Sequence, residues 1–114
     1  IELKECEFCV KILINSKILN KLNDSKNILE IGCGTGSLAQ QFIKSELDYS
    51  GLDLGPGPGV DIVCPAQDYD APDNTFDVII SCECFEHNPY YKESIQNAVR
   101  MLKSGGLFLF TCAT

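Results

Sequence analysis

Positive charge is scarce in this sequence. Lys and Arg together number 9 against 16 Asp and Glu, for a net charge of -7, and that balance argues against a nucleic-acid backbone or an anionic membrane as the main partner. A neutral or cationic ligand fits better. Long apolar runs are missing too. No stretch approaches the roughly 20 residues that span a bilayer. The opening "IELKECEFCVKILINSKILNKL" lacks the basic, apolar and small-residue order of a signal peptide. A cytoplasmic location is therefore expected. There is no internal repeat, low-complexity tract or long linker. At 114 residues, with 45% hydrophobic and 22% charged content, the chain reads as a single globular domain.

What is present begins with seven cysteines, at 6, 9, 33, 64, 82, 84 and 112. An odd set scattered through apolar segments reads as free thiols in a reducing compartment, not as a disulfide framework. Cys6 and Cys9 have C-x-x-C spacing, and Cys82 with Cys84 could complete a four-thiolate site. Yet Cys82 and Cys84 are too close for a usual zinc knuckle, and the first pair sits in helix-like sequence. Small buried hydrophobes are the better reading, and no metal site is expected.

Segments of two periodicities alternate along the chain. Residues 2–22 show helical spacing, so that 1–25 reads as an N-terminal helical segment ahead of a core over 26–114. "NILEI" is a strand, Ser37 to Lys44 resumes helical spacing through Leu38 and Phe42, and "DYSGLDL" is a second strand ending near Asp53. "GPGPG" breaks regular structure, "VDIV" is a short strand, and "CPAQDYDAPDNT" is loop. "FDVIIS" is a buried strand. Asn88-Pro89 opens a helix with Ile95, Ala98, Val99 and Leu102 as its apolar stripe, stopped by Ser104-Gly105-Gly106. "LFLFTC" has the nearly unbroken apolarity of a parallel strand covered on both faces. Strands alternating with helices imply an α/β fold, a doubly wound and mostly parallel sheet.

In such a sheet the ligand sits beyond the carboxyl ends of the strands, where strand order reverses. That directs attention to "NILEIGCGTGSLAQQF", residues 27–42, with glycines at Gly32, Gly34 and Gly36. Glycine permits positive φ and close backbone approach, and the following helix offers free N–H groups. A tight turn without a ligand would also use glycines, so the neighbours have to discriminate. No Lys or Arg lies between Asn27 and Ile43, which disfavours a Walker-type phosphate loop. A dinucleotide fingerprint wants its third glycine where Ser37 stands, and pyrophosphate would be repelled by Glu30. S-adenosylmethionine, with an ammonium and a sulfonium against one carboxylate, suits Glu30, directly or through water. Asp53 then stands where a ribose needs an acceptor for its two hydroxyls.

"ILEIGCGTG", "GLDL", "FDVIISCECFEH" and "MLKSGGLFLFT", in this order, closely resemble the class I S-adenosylmethionine-dependent methyltransferases, in particular the branch called methyltransferase type 11. The resemblance covers roughly residues 26–112 and implies a Rossmann-like fold. It also implies methionine-side contacts from Glu30, Gly32, Cys33, Gly34 and Gly36, a ribose contact from Asp53, adenine packing on Leu54, and a cofactor contact at Ser81. Family members place an acidic residue after the third strand to meet the adenine amino group. Here that position falls near Pro65, so the contact passes to Gln67 or Asp68. The family continues past its fifth strand with another helix and two strands. This chain therefore reads as a fragment of the complete fold.

For the chemistry, methyl transfer needs alignment of donor and acceptor and exclusion of water, with a base only for some acceptors. The loop after the fourth strand, "SCECFEHNPYY", holds Glu83, Glu86 and the sole histidine, His87. These are the candidate catalytic groups, though each could equally serve as a cap or packing residue. The tyrosine pair Tyr90-Tyr91 is a candidate pocket lining. Two functions are compatible with these features: a methyltransferase acting on a small-molecule or sugar-type acceptor, and a non-catalytic S-adenosylmethionine- or nucleotide-binding domain.

Overall fold

The computed structural model describes residues 27–32, 48–82 and 88–111. The helices expected over 2–22 and Ser37–Lys44 lie outside these residues, as do Cys33, Gly34, Gly36, Glu83, Glu86 and His87. Five strands form one sheet: β1 (Asn27–Ile31), β2 (Asp48–Asp53), β3 (Ile62–Val63), β4 (Phe76–Cys82) and β5 (Leu102–Thr111). A 3-10 turn (Ala66–Asp68) follows β3, and helix α1 (Tyr91–Met101) joins β4 to β5. Strand order is β3-β2-β1-β4-β5, and every neighbouring pair is parallel. The order reverses between β1 and β4, as expected of a Rossmann-like, doubly wound sheet.

Apolar runs make the central strands. Ile28, Leu29 and Ile31 of β1 and Val78, Ile79 and Ile80 of β4 are all at most 1% exposed. Successive side chains of a strand point to opposite faces, so unbroken burial means that both faces are covered. One face packs Leu29, Ile31, Leu52, Phe76 and Ile79 against Ala98 and Met101 of α1. The β2–β3 connection is short for a parallel pair, and it suffices because β3 contributes only two rungs, Leu52 with Ile62 and Asp53 with Val63. Asp61 braces that edge. Its Oδ2 accepts from the Gly51 N–H at 2.8 Å, and its own N–H donates to the Gly51 carbonyl at 2.8 Å.

Helix α1 differs from its sequence reading at both ends and on its buried face. It begins at Tyr91, not at Pro89. Asn88 instead caps the preceding turn, its Oδ1 accepting the Tyr90 N–H at 2.8 Å. The helix stops at Met101, three residues before the expected Ser-Gly-Gly. Asn74 and Thr75 donate their N–H groups to the Arg100 and Met101 carbonyls at 3.1 and 2.8 Å, so the loop before β4 satisfies the helix end. Asn74 reaches this position at φ 56°, a conformation that asparagine tolerates. Leu102 is already paired with Phe76, and the "KSGG" segment bulges out before Leu107 pairs with Val78. Gly106 is obligatory in that bulge. A Cβ there would lie 2.8 Å from the Lys103 carbonyl and 2.9 Å from that of Asp77.

The expected stripe is rotated. Ser94, Ala98 and Met101 are fully buried, whereas Val99 is 58% exposed. The reason is polar. Asn97 Nδ2 donates to the carbonyls of Ala66 and Tyr69 at 2.8 and 2.9 Å, and these bonds turn the helix towards the 3-10 turn. Arg100 extends the same face, with Nε on Asn97 Oδ1 at 2.9 Å and Nη1 on Asp73 at 2.6 Å. Asp73 is 69% exposed there. Exposed ion pairs contribute little, so Asp73→Ala is expected to lower stability by no more than about 1 kcal/mol in urea denaturation.

Candidate functional site

A cavity of about 440 Å³ opens at the carboxyl ends of β1, β2 and β3, within the roughly 300–1,000 Å³ range of small-molecule sites. Its described walls come from Ile31 and Gly32 after β1, Leu52 to Leu54 at the end of β2, Cys64 to Gln67 after β3, and Asn88 to Tyr90 before α1. This is the place that a reversal of strand order predicts.

Gly32 is the floor. It has φ 73°, a left-handed conformation that costs a glycine nothing. Its N–H donates to the Leu52 carbonyl at 2.7 Å, which tethers the start of the turn to β2. Asp53 closes β2. Its Oδ1 accepts the N–H of Leu54 at 2.7 Å, which sets the carboxylate at the strand end beside the cavity. Leu54 is 74% exposed, an apolar surface at the cavity mouth that gains from being covered by a flat ring. Tyr90, 56% exposed, stands on the α1 side of the same opening. Tyr91 does not line it. Among the described residues that do, Asp53 is the only charged one, and none is Lys or Arg.

Gln67 lines the cavity and Asp68 does not. Two further candidates, Glu30 and Ser81, do not line this cavity. Glu30 is 1% exposed. Its Oε1 accepts the Tyr49 hydroxyl proton at 2.7 Å. A carboxylate in mid-strand must be hydrogen-bonded where it lies, so it supports β1 against β2 from within the sheet. Ser81 is also fully buried, its Oγ donating to the Ile31 carbonyl at 3.1 Å. It clamps β4 to the end of β1 and does not line this cavity.

Cys64 contributes a thiol to the wall. Burial, and after it the Asp68 carboxylate, push the Cys64 pKa above its ordinary value, and Sγ lies 3.3 Å from the Pro65 carbonyl as its donor. The thiol form therefore prevails at neutral pH. Among the described residues no group of three or more His, Cys, Asp and Glu side chains is arranged to hold a metal ion, and no helix is long and apolar enough to cross a membrane.

Sequence reasoning pointed to the neighbourhood of Pro65 but missed Asn88 and Pro89 as wall residues. A proline and a capping asparagine carry no chemical signature of a site. Only the meeting of the 3-10 turn with the start of α1 puts them there.

The chain belongs to the methyltransferase domain family, whose pattern it matches over residues 7–114. It is 31% identical over 101 residues to the ubiquinone biosynthesis O-methyltransferase of Aliivibrio fischeri, a match covering 75% of this chain and 43% of that protein. It is equally 31% identical over 104 residues to the fatty-acid O-methyltransferase of Mycolicibacterium smegmatis, covering 79% and 38%. Among solved structures it is similar to Haemonchus contortus phosphoethanolamine N-methyltransferase 2, in complex with phosphomonomethylethanolamine and S-adenosylhomocysteine. That match has a TM-score of 0.64 and 27% identity, and covers 76% of this chain and 24% of the other. The chain thus spans less than half the length of these relatives.

Proposed function

We propose that this domain binds S-adenosylmethionine and belongs to an enzyme that methylates a small-molecule acceptor. The observation carrying the proposal is the cavity itself. It lies at the reversal of strand order, with Gly32 at positive φ, Asp53 at the end of β2 and no cationic side chain on its described walls. Family membership and the small-molecule O-methyltransferases among its relatives support the same reading.

The residues present fit that cofactor. Asp53 would accept from the two ribose hydroxyls, Leu54 and Tyr90 would flank the adenine, and Gln67 would reach its edge. Gly32 begins the turn whose remaining glycines, Gly34 and Gly36, with Cys33, belong on the methionine side. Glu30 and Ser81 hold the strand ends under that turn. When bound, S-adenosylmethionine supplies a methyl group on a sulfonium that is its own leaving group. The protein has then to align the acceptor and keep water away. Glu83, Glu86 and His87 are the candidate bases for a hydroxyl or carboxyl acceptor. They precede Asn88 and Pro89 on the cavity wall. A single domain over 1–114 and a cytoplasmic site of action, the latter in keeping with scattered, odd-numbered cysteines, complete the reading.

Titration calorimetry tests it. S-adenosylhomocysteine and S-adenosylmethionine are expected to bind more tightly than NAD, because the walls offer a carboxylate and no cation to a pyrophosphate. Tighter binding of NAD would remove the proposal.

A further inference from the structure

The cavity wall that follows β3 leaves the sheet early. The β2–β3 ladder ends at Val63, and after it the Cys64 N–H still reaches the Asp53 carbonyl at 3.0 Å. Beyond Pro65 the wall is a 3-10 turn, from which Ala66 and Gln67 line the cavity. The turn closes on itself with a bond from the Asp68 N–H to the Pro65 carbonyl at 3.0 Å. That leaves the carbonyls of Ala66 and Tyr69, at its start and just past its end, in need of donors from elsewhere.

Both are met by one atom. Asn97 Nδ2, on α1, gives one proton to the Ala66 carbonyl at 2.8 Å and the other to that of Tyr69 at 2.9 Å, so a single amide grips the turn at both ends. The sense of that amide is fixed independently. Arg100 Nε can only donate, and it bonds Asn97 Oδ1 at 2.9 Å, which leaves the nitrogen to face the carbonyls. Arg100 Nη2 adds a longer bond, 3.3 Å, to the Tyr69 carbonyl. Ser94, one helical turn earlier, bonds the Gln67 side chain at 3.2 Å, whereas Asn97 holds the backbone. Asn97 itself does not line the cavity. We propose that Asn97 is a positioning residue for the cavity: through the Ala66 and Tyr69 carbonyls it holds the wall after β3 where a ligand meets it, and Arg100 sets the sense of its amide. The inference rests on the cofactor reading above, and it gives Asn97 no contact with the cofactor.

The test compares two substitutions by titration calorimetry with S-adenosylhomocysteine, folding being checked by circular dichroism. Asn97→Asp keeps the volume and the acceptor for Arg100, but it sets a carboxylate oxygen against two carbonyls. Asn97→Ala loses the Arg100 bond as well, and leaves the turn without its donor but without repulsion. Affinity is expected to fall roughly tenfold in Asn97→Ala, the worth of one neutral hydrogen bond, and further in Asn97→Asp. A role in packing or in holding Arg100 predicts the opposite order, with the aspartate the milder change. Lost stability does not imitate the result, since a variant that stays almost wholly folded loses none of its competent fraction. Unchanged affinity in Asn97→Ala, or a larger loss there than in Asn97→Asp, would overturn the assignment while leaving the cofactor reading intact. Should Asn97→Asp fail to fold, the affinity of Asn97→Ala decides alone. No binding of S-adenosylhomocysteine to the unaltered protein would overturn both.

Discussion

Asp53→Ala is expected to weaken S-adenosylhomocysteine binding by roughly ten- to a hundredfold, about 1–3 kcal/mol, with little loss of stability. The carboxylate stands at the end of β2 on the cavity wall, where two ribose hydroxyls would lose a charged acceptor. Stability should change little, because the bond from the Leu54 N–H to Asp53 Oδ1 is exposed, so that water can replace it. Asp53→Asn separates charge from shape. It keeps one acceptor oxygen and should retain part of the affinity. Calorimetry on folded Asp53→Ala protein decides the matter: unchanged affinity would move the ribose to another wall.

The second large effect belongs to the sheet under the site. Tyr49→Phe removes the hydroxyl that donates to Glu30 at 2.7 Å. Because Glu30 is 1% exposed, water cannot readily take the place of that donor. Removing the donor from a buried acceptor costs about 1–3 kcal/mol, so urea denaturation should show a loss of that order. Cofactor affinity should fall less, since Glu30 acts from within the sheet and Gly32 keeps its own tether to the Leu52 carbonyl. A Tyr49→Phe protein of undiminished stability, or one in which binding falls while stability holds, would favour a ligand contact for Glu30, directly or through water.

Much of the fold was legible in the residues. The apolar runs at Ile28–Ile31 and Val78–Ile80 announce strands buried on both faces, and the alternation of strand and helix patterns leads to a parallel α/β sheet. The cavity's position follows from that topology together with the glycine turn. Asp53, expected at the end of the second strand, and Leu54 and Gln67, implied by the family resemblance, all line that cavity. The burial of Glu30 and Ser81 was not legible, because a motif records spacing along the chain, whereas burial depends on what lies across the sheet. The Tyr49 hydroxyl is 19 residues from Glu30, and the Ile31 carbonyl is 50 from Ser81.

Sequence alone therefore determined the class of fold, the edge of the sheet at which a ligand would lie, and the acidic, cation-poor character of the candidate site. These depend on local periodicity, glycine placement and charge, all of which are properties of short stretches. Tertiary structure decided the rotation of α1, the stopping of that helix at Met101, and which way the Gln67 amide faces. Each depends on a polar group seeking a partner far along the chain: Asn97 on the Ala66 and Tyr69 carbonyls, Asn74 and Thr75 on the end of α1, and Ser94 on Gln67. A buried polar group must be satisfied wherever its partner happens to be, and no periodicity in the sequence encodes that distance.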